Sequence, residues 1–190
     1  MQKQICFIYT ETNGLHQTNE DVSKKILYNF ARMVTLNYEI GYVQGKEYVI
    51  EKKVRIVVKP RCMHIPEETI QYHGITMEYA EANGTDPAEI IKTFNEDIKT
   101  VQVIVSHNVD FHLKTIIAEA VRYNILIDLS NHIVIDTISF YHSYGYMKLK
   151  ELATKLKIKD IPDETDKNTE LIRNVFLKLY IKYEKSVKET

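Results

Sequence analysis

Residues 101–112 constrain the fold more than any other stretch. A short β-branched run, Val101 to Val105, breaks off at Ser106-His107-Asn108, and beyond it the apolar spacing turns helical through Phe111, Ile116, Ala120 and Tyr123. A buried strand that ends in polar groups and feeds a helix is a building unit of open α/β sheets, which place ligands at the carboxyl ends of their strands. Two further polar clusters can meet it there. One is Thr10-Glu11-Thr12, after the first apolar run; the other is Asp163 to Asp166, ahead of the last helical stretch.

The remaining elements follow from period and punctuation. Ile5 to Tyr9 is nearly all apolar, as a strand buried on both faces is. Asn13-Gly14 marks a turn, and Asp21 reads as the cap of a short helix carrying Val22, Ile26, Leu27 and Phe30. Residues 32–40 and 47–58, separated by Gly41 to Gly45, read as an antiparallel hairpin stopped by Pro60. Pro66 suits a first-turn position before Glu67 and Glu68, and Thr76 caps a short helix closed by Asn83-Gly84. Asp86-Pro87 opens another helix with Ile90, Ile91, Phe94 and Ile98 on one face. Ile133 to Ile135 is a last short strand ending at Asp136-Thr137, and residues 140–183 read as helices broken near 158–162. The expectation is an α/β fold, a mixed central five-stranded sheet flanked by helices, in a single domain over 1–186 with a frayed tail at 187–190.

Charge narrows the function little. The net charge is −1, from 25 basic and 26 acidic residues, so no global field advertises nucleic acid, although a local patch can still serve one. Cys6 and Cys62 stand apart with no CxxC spacing, which fits reduced thiols in an intracellular, cytoplasmic setting. The N-terminus leads straight into a strand, and no apolar run approaches the ~18 residues of a membrane span, so a soluble protein without a membrane partner is expected.

Several ordered motifs together carry a resemblance. Phe7-Ile8-Tyr9-Thr10-Glu11-Thr12-Asn13-Gly14-Leu15 is similar to the F-x-D-x-E-T-x-G-L that opens the DEDD (DnaQ-like, ribonuclease H-type) 3′–5′ exonucleases. Val58-Lys59-Pro60, Ile65-Pro66 and His73-Gly74-Ile75-Thr76 follow in the family's order. His107-Asn108-Val109-Asp110-Phe111-His112 resembles H-N-x-x-F-D, and Asp136-Thr137 and Lys148 to Leu152 are similar to later motifs. The resemblance implies a ribonuclease H-like exonuclease fold. It also implies chemistry in which two divalent cations, Mg²⁺ or Mn²⁺, held by four carboxylates, activate water at a phosphodiester while a His or Tyr orients it.

Carried over residue by residue, the resemblance implies Glu11 and Asp166 as catalytic and metal-binding acids, with Asp163 as the fallback for Asp166. Thr12, Leu15, His107 and Asn108 become substrate contacts, although His107 and Asn108 read first as fixing the strand-to-helix corner through backbone hydrogen bonds. Two acid positions fall instead on Tyr9 and His112. Tyrosine, with an ordinary pKa of about 10, does not bridge hard cations at neutral pH, and histidine suits Zn²⁺ better than Mg²⁺. No histidine follows His142, and Pro162 stands where a tyrosine variant of the third motif needs its ring. Asp110 and Asp136 are the candidate replacement ligands, Asp110 being equally a first-turn helix acid. His112 with Glu11 and Asp166 is a candidate single Zn²⁺ or Mn²⁺ site, or a plain hydrogen-bonded histidine. Tyr141, Tyr144 and Tyr146 are stacking surfaces or core, and Arg173, Lys178, Lys182, Lys185 and Lys188 read as a solvated helical stripe.

Two functions remain. One is a degenerate exonuclease-fold protein that binds a single-stranded nucleic-acid end or a protein partner, with little or no two-metal catalysis and, where the site is inactive, no bound metal. The other is an active 3′–5′ exonuclease on DNA or RNA with a rearranged divalent-metal site.

Overall fold

A computed structural model describes residues 2–139, 146–159, 161–162 and 167–188, with side chains through Ile181. Five strands, β1 (Gln4–Thr12), β2 (Met33–Gln44), β3 (Glu47–Val57), β4 (Val103–Ser106) and β5 (Ile133–Asp136), form one sheet in the order β3-β2-β1-β4-β5. β2 pairs antiparallel with β1 and β3, while β4 runs parallel to β1 and to β5. This is the expected mixed α/β sheet.

The centre explains the sequence of β1. Paired on both edges and covered on both faces, it buries Ile5 through Ile8 completely or nearly so. Alternation then sends Cys6 and Ile8 to one core and Ile5 and Phe7 to the other. The first core packs under α3 (Pro87–Asp97) and α4 (Val109–Arg122), through Ile90, Ile91, Phe94 and Ile116. The second lies under α5 (Leu149–Lys155) and α6 (Asn168–Lys188), where Phe7 meets Tyr48 and Phe176 edge-on at 5.1 and 5.5 Å. Full burial of a side chain of this size stabilises by about 1.5–3 kcal/mol.

Local departures from the sequence reading have identifiable causes. Gly41 does not end a strand: it lies inside β2 at a bulge, and the turn is the pair Gly45-Lys46, with Gly45 at φ 63°. Asp21 caps nothing, because the helical turns there are 3₁₀, span Lys24–Asn29 and begin after Ser23. Pro66 precedes rather than opens α1 (Glu67–His73), which closes on Gly74 in the left-handed region. Thr76 does cap α2 (Met77–Asn83), its hydroxyl accepting from Tyr79 N–H at 3.1 Å. Gly84 follows at φ −75°, so its value is space rather than conformation: a Cβ would run into the Ala80 carbonyl and the Lys59 backbone. Gly84→Ala is therefore expected to cost about 1–3 kcal/mol by overpacking, read as a lowered unfolding midpoint.

Arg173 also departs from the solvated stripe. It packs against β2, where its guanidinium donates to Glu39 at 2.6 Å, and Lys53 pairs with the same carboxylate at 2.8 Å. Lys178 is exposed, as a stripe residue is, and the side chains of Lys182, Lys185 and Lys188 lie outside the described residues.

Candidate functional site

The parallel pairing of β1 with β4 sets Ile5, Cys6 and Phe7 beside Val103, Ile104 and Val105. Their carboxyl ends therefore emerge together, bringing Tyr9-Thr10-Glu11 next to Ser106-His107-Asn108. Ser106 fastens the two, its hydroxyl donating to the Ile8 carbonyl at 2.7 Å. A cleft of about 780 Å³ opens over this junction, walled by α1 on one side and by residues 146–150 and Asn168 on the other.

The corner between β4 and α4 turns on Asn108, which sits in the left-handed region at φ 64°. Asparagine tolerates that conformation better than most residues. The exposed helix N–H groups are met from β5. Both oxygens of Asp136 accept, Oδ1 from Asn108 N–H at 3.0 Å and Oδ2 from Val109 N–H at 2.9 Å. Oδ1 also takes Ile138 N–H at 2.9 Å. Asp136 thus caps α4 from a distance and does not line the cleft. His107 is pinned by Thr137 Oγ1 and the Met147 carbonyl, each at 2.8 Å. Since a carbonyl only accepts, Nε2 carries the proton, and burial pushes the ring's pKa down.

His112 is 4 % exposed. Its Nδ1 receives Thr10 N–H at 3.1 Å and lies 2.9 Å from the Thr10 hydroxyl. The backbone N–H can only donate, so Nδ1 is the acceptor and Nε2 holds the proton, which meets the His107 backbone. Burial lowers this pKa to about 3. The Tyr9 ring packs on His112 with centroids 4.6 Å apart. Its phenol hydrogen-bonds Asn168, and burial first, then the charge of Glu11, push its pKa upward. Asp110 faces solvent, paired with Lys114 at 2.9 Å. Leu15 is exposed at the mouth of the cleft, while the Thr12 hydroxyl donates to the Gly14 carbonyl at 2.7 Å.

Of the three clusters expected to converge, two do. Asp163 and Asp166 of the third lie outside the described residues, as do Tyr141 and Tyr144, but Asn168 just beyond reaches Tyr9. Sequence reasoning placed Thr10 in a converging cluster without giving it a role, and missed Asn168. Thr10 occupies a variable position of its motif, and only its neighbourhood to an out-of-place histidine could have flagged it.

The family model of RNase T exonucleases matches residues 7–163. The chain belongs to the RNase T exonuclease family. Exonuclease I from Methylocaldum szegediense superposes with a TM-score of 0.71 at 15% identity, over 93% of this chain and 40% of that one. E. coli exonuclease I in complex with a dT13 oligonucleotide gives 0.71 at 14% identity, over 95% and 41%. A product-bound exonuclease I gives 0.71 at 15%, over 94% and 43%. These likenesses show the fold, and the chain spans less than half the length of those exonucleases. No curated protein sequence matches it.

Exonucleases of the family are divalent-metal dependent, and two hard cations need several carboxylates. At the described positions Glu11 is the one acid. Tyr9 is a protonated phenol tied to Asn168, and both ring nitrogens of His112 are engaged. Among the described residues, no group of three or more His, Cys, Asp or Glu side chains can hold a metal ion. The described donors do not fit a cation pair. No described helix is long and apolar enough to cross a membrane.

Proposed function

We propose that this chain holds the end of a single-stranded nucleic acid in the cleft at the carboxyl ends of β1 and β4, with little or no two-metal hydrolysis. The charge of the cleft carries the reading. Its described lining has one carboxylate, Glu11, against the ammonium groups of Lys148 and Lys150. His73, His107 and His112 add no charge near neutrality, because burial keeps each pKa low. In a four-acid site, metal ions bring the phosphate; here Lys148 at the wall of the cleft is placed to meet it. Exposed Leu15, Tyr72 and Tyr146 around the cleft give bases apolar and aromatic faces to stack on. The complex of E. coli exonuclease I with dT13 supports a nucleic-acid ligand for this fold.

A labelled single-stranded oligonucleotide is expected to bind in EDTA and to be released by salt. Lys148→Ala with Lys150→Ala should flatten the slope of log affinity against log salt by about 0.7 for each phosphate that is no longer neutralised. Metal-dependent laddering from the 3′ end with Mg²⁺ or Mn²⁺, abolished by Glu11→Ala, would overturn the proposal in favour of an active exonuclease. Absence of binding at low salt would overturn it in favour of a protein partner.

A further inference from the structure

We infer that a nucleic-acid strand seated in the cleft continues over Leu15 into a second groove, where Tyr28 stacks on further bases of the same strand. This rests on the proposed nucleic-acid role of the cleft and extends its footprint. The second groove, about 560 Å³, is shaped by the β1–β2 loop and by residues 62–64. It shares Gly14 and Leu15 with the cleft, so the two cavities meet at one rim. Leu15, on that rim, is 78% exposed and Tyr28, in the second groove, is 81% exposed, both large side chains presented to solvent.

The loop that presents them is tied down at many points. Asn13 N–H donates to the Arg32 carbonyl at 3.0 Å, and its side chain accepts from Arg32 N–H at 2.8 Å while donating to the His64 carbonyl at 3.0 Å. Gln17 N–H donates to the Asn29 carbonyl at 2.7 Å. His16 Nδ1 accepts from Ala31 N–H at 3.1 Å, and its ring stacks on Phe111 at 4.4 Å. Arg122 donates to the Leu27 and Phe30 carbonyls at 2.8 and 2.7 Å. A platform fixed before binding loses little freedom when a ligand arrives.

Charge selects the occupant. Arg32 and Arg122 line the groove with their donors turned onto Glu119 and onto backbone carbonyls, so the two guanidiniums and one carboxylate give the wall a net positive field rather than direct phosphate contacts. A mixed wall of aromatic, amide and guanidinium groups, continuous with a cationic cleft, suits a phosphate backbone with unpaired bases better than an acidic or apolar peptide. The geometry therefore favours one strand over both cavities.

The test uses fluorescence anisotropy in EDTA with a dinucleotide and an octanucleotide of thymidine, on the full chain and its Tyr28 variants. Affinity is expected to be clearly higher for the octanucleotide. Tyr28→Ala should weaken the octanucleotide by about 5- to 150-fold, the range of one lost base stack, and leave the dinucleotide unchanged; Tyr28→Phe should restore the long-strand affinity. Equal affinity for both lengths, or a Tyr28→Ala loss shared by both, overturns the second groove and leaves the cleft reading standing. No binding of either oligonucleotide overturns both.

Discussion

Glu119→Ala lowers the stability of the fold by about 3–5 kcal/mol, the range for stripping a buried ion network of its counter-charge. The side chain is 1% exposed and takes four donors: Arg32 Nε at 2.8 Å, Arg32 Nη2 at 3.3 Å, Arg122 Nη1 at 3.0 Å and Met33 N–H at 3.2 Å. Removing it leaves two guanidiniums, with side chains 17% and 15% exposed, facing each other across an emptied pocket. The damage reaches the site, because the Arg122 guanidinium also donates to the Leu27 and Phe30 carbonyls of the loop between β1 and β2, whose first residues form the rim of the cleft. Urea unfolding measures the loss. Glu119→Gln, which keeps the acceptor and removes the charge, is expected to fall between wild type and alanine. A change within about 0.5 kcal/mol, ordinary for a surface substitution, would show that the network carries no stability.

Most of the scaffold could be read from the chain because it follows local rules. The unbroken apolar run of β1 and the switch of period after Val105 place two strands and a helix without any tertiary knowledge. Parallel pairing then makes convergence of Thr10-Glu11 with His107-Asn108 a consequence of topology. What escaped depends on partners distant in sequence. Arg173 looks like one member of a charged helical face, and only Glu39, brought up from β2, turns it inward. Asp136 looks like a spare acid at a strand end, and its use follows from the left-handed turn at Asn108 that aims two N–H groups at it. Residues 24–29 carry apolar spacing that suits an α-helix. Ile26 leaves helical backbone angles and the segment settles as 3₁₀ turns, with Phe30 N–H bonding the Leu27 carbonyl and Arg122 donating to the Leu27 and Phe30 carbonyls from α4. At the site itself, sequence supplied the identities of Tyr9 and His112, while the way they are satisfied, through Asn168 and Thr10, is geometry.

That satisfaction makes His112 a source of acid lability. The fold holds the ring neutral with a pKa of about 3, against 6.5 for an unperturbed histidine, because burial excludes the charged form. Burial outweighs the one opposing contact, the His107 backbone, which favours a protonated ring: Thr10 N–H occupies Nδ1 and the Tyr9 ring covers one side. The unfolded chain therefore binds the extra proton between pH 6.5 and 3. The contribution is fully present above pH 6.5 and is lost as pH falls through that window, by about 2 kcal/mol at pH 5. His16, His73 and His107, also held below their ordinary pKa by burial, act in the same direction, so the wild-type slope contains their shares. His112→Asn isolates the one of interest. Its amide oxygen can take Thr10 N–H near the place of Nδ1, and it does not titrate. Urea unfolding at about pH 7 and about pH 5 should show the variant losing about 2 kcal/mol less than wild type on acidification. Equal losses would mean that His112 is protonated in the folded protein at the lower pH, and with that the account of a neutral ring locked between Thr10 and the His107 backbone would fall.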